Sequence, residues 1–74
     1  MSIYVLNDDY NTFDYVIHVL TKSIPMCNTL RAEQIARLVH DSGRCEVYSG
    51  FPPNIYVIYG HLSKSGLSVE LKIN

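Results

Sequence analysis

The stretch Asn7-Asp8-Asp9-Tyr10 limits this chain most, because it separates two segments of different periodicity. Before it, Ile3-Tyr4-Val5-Leu6 is a short apolar run that reads as a strand. After it, Phe13, Val16, Ile17, Leu20 and Ile24 recur at helical spacing and form one apolar face of a helix over Phe13–Ile24. Asn11 or Thr12 can cap that helix by accepting from its unpaired first amides, and Asp14 suits the positive end of its dipole. Pro25 stops it, since proline disfavours a helical conformation in the residue before it. The acidic turn thus gathers amide and carboxylate oxygens where a strand hands over to a helix. Such a set suits a cation, either a metal ion or an ammonium group, and equally suits a plain capped turn.

The remaining segments punctuate clearly, with one exception. Asn28 or Thr29 starts a second helix, in which Ala32, Ile35, Ala36 and Val39 line one side and His40 continues that line. Gly43 ends it, as a residue able to take positive φ should. Arg44 to Ser49 alternates and reads as a half-buried strand. Leu67, Val69, Leu71 and Ile73 alternate with Ser68, Glu70, Lys72 and Asn74, a second clean strand pattern. The exception is Ile55-Tyr56-Val57-Ile58-Tyr59 behind Gly50-Phe51-Pro52-Pro53-Asn54. Its residues are β-formers and local propensity favours a strand, although the prolines are well placed to open a helix. Helices packed on one face of a small sheet make the chain α+β.

With 74 residues there is one domain, 1–74, with a single thin core and no room for a separate catalytic unit. Hydrophobic content of 47% with 18% charged residues is that of a folded domain. A net charge of −1 gives no electrostatic footprint for nucleic acid, and no basic stripe accompanies the six tyrosines. No apolar run approaches the ~18 residues of a membrane span, and no signal peptide is visible. Cys27 and Cys45 are isolated and expected to be reduced thiols of a cytoplasmic protein.

Candidate chemistry is sparse. Asp8-Asp9 lacks the alternating oxygens and central glycine of a calcium loop, and His18, His40 and His61 lie too far apart in sequence to suggest zinc. No metal or other cofactor is therefore expected. A Cys45-His40 nucleophile pair has no visible oxyanion hole, so the chain is not read as an enzyme. His40 stands apart from the other histidines because it ends an apolar line next to a helix stop.

Taken together, these residues resemble the ClpS adaptor family. Asn7-Asp8-Asp9-Tyr10-Asn11-Thr12-Phe13-Asp14-Tyr15-Val16 is similar to that family's Asn-Asp-Asp-x-Thr-Pro-Met-Glu-Phe-Val motif. Val39-His40 with Gly43-Arg44 resembles its Val-His-x-x-Gly-Lys segment, and Gly66 to Leu71 resembles its closing strand. The likeness spans nearly the whole chain. It implies a β-α-α-β-α-β order with a three-stranded antiparallel sheet, and so a third helix over the segment that propensity favours as a strand.

The resemblance also implies a function: capture of N-degron proteins, whose first residue is Phe, Tyr, Trp or Leu, and their transfer to a Clp-family AAA+ unfoldase. The chemistry fits. An α-ammonium has three donors and needs acceptors, which Asn7, Asp8 and a neutral His40 can supply. Val16, Ala36 and Val39 can line an apolar socket with Phe13 at its rim, and the resemblance adds Asn11 and Leu67 to the side-chain site. Asn11, Phe13 and Ala36 stand where the family usually has Thr, Met and a bulkier residue. The family's flexible N-terminal extension is expected to be missing, since the first strand begins almost at Met1. That favours an alternative, a regulatory or antagonist protein that binds the unfoldase or its clients without delivering them. A monomer in the cytoplasm is expected, or in a plastid stroma if a transit peptide has been removed.

Overall fold

The computed structural model describes residues 1–73. Three strands and three helices follow in the order β1 (Ser2–Leu6), α1 (Phe13–Ser23), α2 (Thr29–Ser42), β2 (Arg44–Ser49), α3 (Asn54–Lys64) and β3 (Val69–Lys72). The sheet order is β2-β1-β3, and β1 runs antiparallel to both neighbours. This is the small α+β domain expected. The shortest element departs from expectation: β3 covers Val69–Lys72, so the alternating pattern from Leu67 onward overstates the paired length.

The central strand sets the two faces of the sheet. Ile3 and Val5 are buried on the helix side, with Leu20, Ile35, Ile55 and Leu62 packed into the same core. On the other face the Tyr4 ring lies beneath the Arg44 guanidinium, 4.3 Å from its centroid, with the Lys72 ammonium at 5.8 Å. Arg44 also pairs with Glu70 at 3.4 Å, so a ring and alternating charges cover the side that no helix covers.

Local chemistry accounts for the helix ends. Thr12 caps α1 by accepting from the Tyr15 amide, and Asn28 caps α2 by accepting from the Arg31 amide. Gly43 closes α2 in the left-handed region at φ 90°, its amide donating to the Val39 carbonyl.

The strand that propensity favours over Ile55–Tyr59 is overturned: this segment lies within α3. A strand would bury alternate residues, but Ile55, Ile58 and Leu62 are buried while Val57 is 56% exposed. That spacing of three and four is helical, and burial of one face against the sheet outweighs a small propensity difference.

Candidate functional site

Two backbone hydrogen bonds position the turn that follows β1. The Leu6 amide donates to the Ser68 carbonyl at 2.8 Å, tying the turn to the approach of β3. The Asn7 amide donates to the Gly43 carbonyl, also at 2.8 Å, tying it to the end of α2. The left-handed Gly43 turns the chain back so that its carbonyl meets β1, and His40 sits one helical turn earlier.

Inside the turn, the Asp8 carboxylate is the organising group. Its Oδ1 accepts from the backbone amides of Tyr10 at 3.0 Å and Asn11 at 2.8 Å. Its Oδ2 accepts from the Asn11 side-chain amide and the Ser68 hydroxyl, each at 2.8 Å. Burial pushes this carboxyl up, but the four donors outweigh it and hold it down at about 2. Asp9 is exposed and none of the turn's hydrogen bonds ends on it.

Asn7, Asn11, Phe13, Val16, Ala36, Val39 and His40 line a single hollow of about 60 Å³ between the start of α1 and the end of α2. Asp8 and Leu67 line a second one of about 20 Å³, which shares Asn7, Asn11, Val16 and Val39 with the first. The candidate residues therefore gather at one place, with Asp8 and Leu67 on the smaller of two adjoining hollows. Ala36 and Val39 are buried, Phe13 is 40% exposed, and His40 and Asn7 are exposed. A polar rim thus surrounds an apolar wall, an arrangement suited to a ligand with a polar head and a greasy side chain.

Ser68 and Gly66 are the site residues that sequence reasoning missed. Ser68 closes the Asp8 network, and the Gly66 carbonyl accepts from the Asn11 side chain at 3.0 Å. Both lie more than fifty residues from the turn, and no local pattern links them to it. A larger groove of about 580 Å³ runs along the outer side of α2 past Leu30, Gln34, Leu38 and Cys45. Its charges alternate in sign and do not converge, so volume alone does not make it the better site. Among the described residues, no group of three His, Cys, Asp or Glu could hold a metal ion.

A family model described as "ATP-dependent Clp protease adaptor protein ClpS" matches residues 1–55, which contain the acidic turn, Phe13, Ala36 and His40. The chain belongs to the ClpS family. Among curated relatives it is similar to the ATP-dependent Clp protease adapter protein ClpS of Thermosynechococcus vestitus, 34% identical over 68 residues that cover 92% of this chain and 72% of the relative. The ClpS adapter of Synechocystis sp. is also 34% identical over 92% of this chain and 69% of its own length. That of Nostoc sp. is 33% identical, with 92% and 70% covered. Membership makes this a protein of the Clp protease adaptor family. No helix among the described residues is long and apolar enough to cross a membrane.

Proposed function

We propose that this ClpS-family chain, as a monomer, binds the free α-amino group and large hydrophobic first side chain of N-degron proteins and passes them to a Clp AAA+ unfoldase. The observation that carries the reading is the hollow shared by Asn7 and His40 with Phe13, Val16, Ala36 and Val39. Acceptors and apolar wall stand side by side there, as an amino-terminal residue requires.

In this reading the ammonium donates to the Asn7 side-chain carbonyl and to a ring nitrogen of His40. Asp8 contributes its negative charge and the shape of the turn, because its oxygens already accept four hydrogen bonds. Exposed Asp9 adds a second negative charge beside it. Each charge-assisted hydrogen bond contributes about 1.5–3 kcal/mol, and an aromatic first side chain, only partly enclosed by hollows of about 60 and 20 Å³, adds at most ~1.5–3 kcal/mol. A small first residue leaves the wall uncontacted, and β-branched or charged ones fit it less well. Acetylation removes both the charge and two of the donors. The chain binds and hands on, with no reaction step assigned to it. Free Cys27 and Cys45 suit a reducing compartment, the cytoplasm or a plastid stroma.

The test is fluorescence anisotropy with a Phe-initiated peptide, free and acetylated. Binding of the free form with at least tenfold loss on acetylation, about 1.4 kcal/mol, supports the proposal. Equal affinity for the two forms overturns it. Faster turnover of a Phe-initiated reporter by the unfoldase and its protease, on adding this chain, tests the delivery step.

A further inference from the structure

We infer that Asn11 presents its Oδ1 to the tip of the client's first side chain, so that Tyr and Trp are preferred to Phe and Leu. This rests on the proposed capture of an amino-terminal residue and narrows it to side chains carrying a donor.

Asn11 commits its side-chain amide nitrogen to two acceptors. Its Nδ2 donates to Asp8 Oδ2 at 2.8 Å and to the Gly66 carbonyl at 3.0 Å. A carboxylate that accepts from four donors and a backbone carbonyl have no proton to give. Turning the amide over would set Oδ1 against two acceptors, so the amide orientation is fixed by its neighbours. Oδ1 is then the one part of the group left without a protein partner among the described residues. No side-chain nitrogen or oxygen there is both buried and unbonded, so Oδ1 keeps solvent-accessible surface.

Position makes this matter. Asn11 lines both the hollow of about 60 Å³ and the adjoining one of about 20 Å³. Val16 and Val39 run through both and are apolar, and Leu67 lines the smaller one. The other polar side chains on that smaller hollow are Asn7, assigned above to the ammonium, and Asp8, whose oxygens are already occupied. A phenol hydroxyl or indole N–H that enters must replace its hydrogen bond to water or bear the cost of desolvation. Oδ1 of Asn11 replaces it. A Phe or Leu side chain instead drives water off Oδ1 and leaves it unpaired, so both effects favour the donor-bearing residues.

The experiment measures anisotropy on the wild-type chain with peptides identical except for the first residue: Phe, 4-fluorophenylalanine or Tyr. The expected result is Tyr binding about threefold to tenfold tighter than Phe, the worth of one neutral hydrogen bond, with the fluoro peptide close to Phe. In Asn11→Ala the ratio of Tyr to Phe affinities falls to about one. Equal affinity for Tyr and Phe on the wild type overturns the inference, as does a fluoro peptide that matches Tyr, which would make size the cause. A ratio that persists in Asn11→Ala overturns it too. So does an equal weakening of both peptides with the ratio retained, which would assign Oδ1 to the client backbone. Should Asn11→Ala fail to fold, the wild-type series decides alone. Tyr–Phe equality with binding still lost on acetylation sinks this inference and leaves the parent reading standing. Insensitivity to acetylation sinks the parent reading and this inference with it.

Discussion

The Asn7 amide donates to the Gly43 carbonyl across 2.8 Å, joining the end of the first strand to the residue that ends the second helix. Thirty-six positions apart in sequence, these two residues set where the acidic turn stands relative to His40. The bond works because Gly43 takes φ 90°, a conformation that costs a residue with a Cβ but not glycine. Gly43→Ala meets no atom within 4 Å, so its cost is backbone strain alone. It is expected to lower stability by about 1–2 kcal/mol and to weaken binding of a Phe-initiated peptide in parallel. Urea unfolding and anisotropy on the same variant check this, and unchanged values for both would show that the turn does not need glycine at this position.

His40→Ala separates binding from folding. The side chain is exposed in the last turn of α2, so stability should change by no more than ~0.5 kcal/mol. Affinity for a free Phe-initiated peptide should fall by about 1–3 kcal/mol, because a donor of the bound amine loses its acceptor. Isothermal titration beside thermal unfolding resolves the two. A variant that binds as well as wild type would remove His40 from the site.

Asp8 predicts a pH dependence with a definite sign. Hydrogen bonds hold its folded carboxyl at about 2, below the unfolded value of ~3.9. Its contribution to stability is complete above the unfolded value and is lost as pH falls from about 4 towards 2, softened by partial exposure to solvent. Asp8→Asn should flatten the stability curve over that window relative to wild type. Midpoints of urea unfolding at steps between pH 2 and 5 provide the comparison, and parallel curves would contradict the carboxylate's role. Asp8→Ala, which removes the acceptor of the Tyr10 and Asn11 amides but leaves them open to water, should cost about 0.5–1.5 kcal/mol of stability at neutral pH and weaken peptide binding as well.

Gly60 tests the third helix. It lies exposed inside α3, and a Cβ there meets nothing within 4 Å. Gly60→Ala should therefore stabilise the protein by about 0.5–1 kcal/mol through helix propensity and a smaller unfolded ensemble. Thermal unfolding by circular dichroism gives the answer. Destabilisation would argue against a helix at this position.

Much of this molecule is legible in one dimension. Thr12, Asn28 and Gly43 mark helix ends with chemistry that acts within three or four residues, and the apolar spacing of α2 names its buried face. That of α1 names Leu20 but includes Phe13, 40% exposed, and omits buried Val19. The sequence also brings Asn7, Asp8 and Asn11 together, since they share one turn. It does not reveal that Ser68 and Gly66 complete that turn from the far end of the chain, or that Asp8 turns its oxygens inward to four donors. Nor does local propensity identify α3, where Ile55, Ile58 and Leu62 are buried against the sheet and the helix spacing outweighs the β-forming character of each residue.

The sequence alone determined whatever depends on neighbours along the chain: caps, stops, the acidic turn and the identity of the candidate rim and wall. Only the tertiary structure decided that His40 and Asn7 line one hollow and that Asn11 has an acceptor to spare. Those facts depend on which hydrogen bonds close over long loops, and such closures are fixed by the packing of the whole core rather than by any short run of residues.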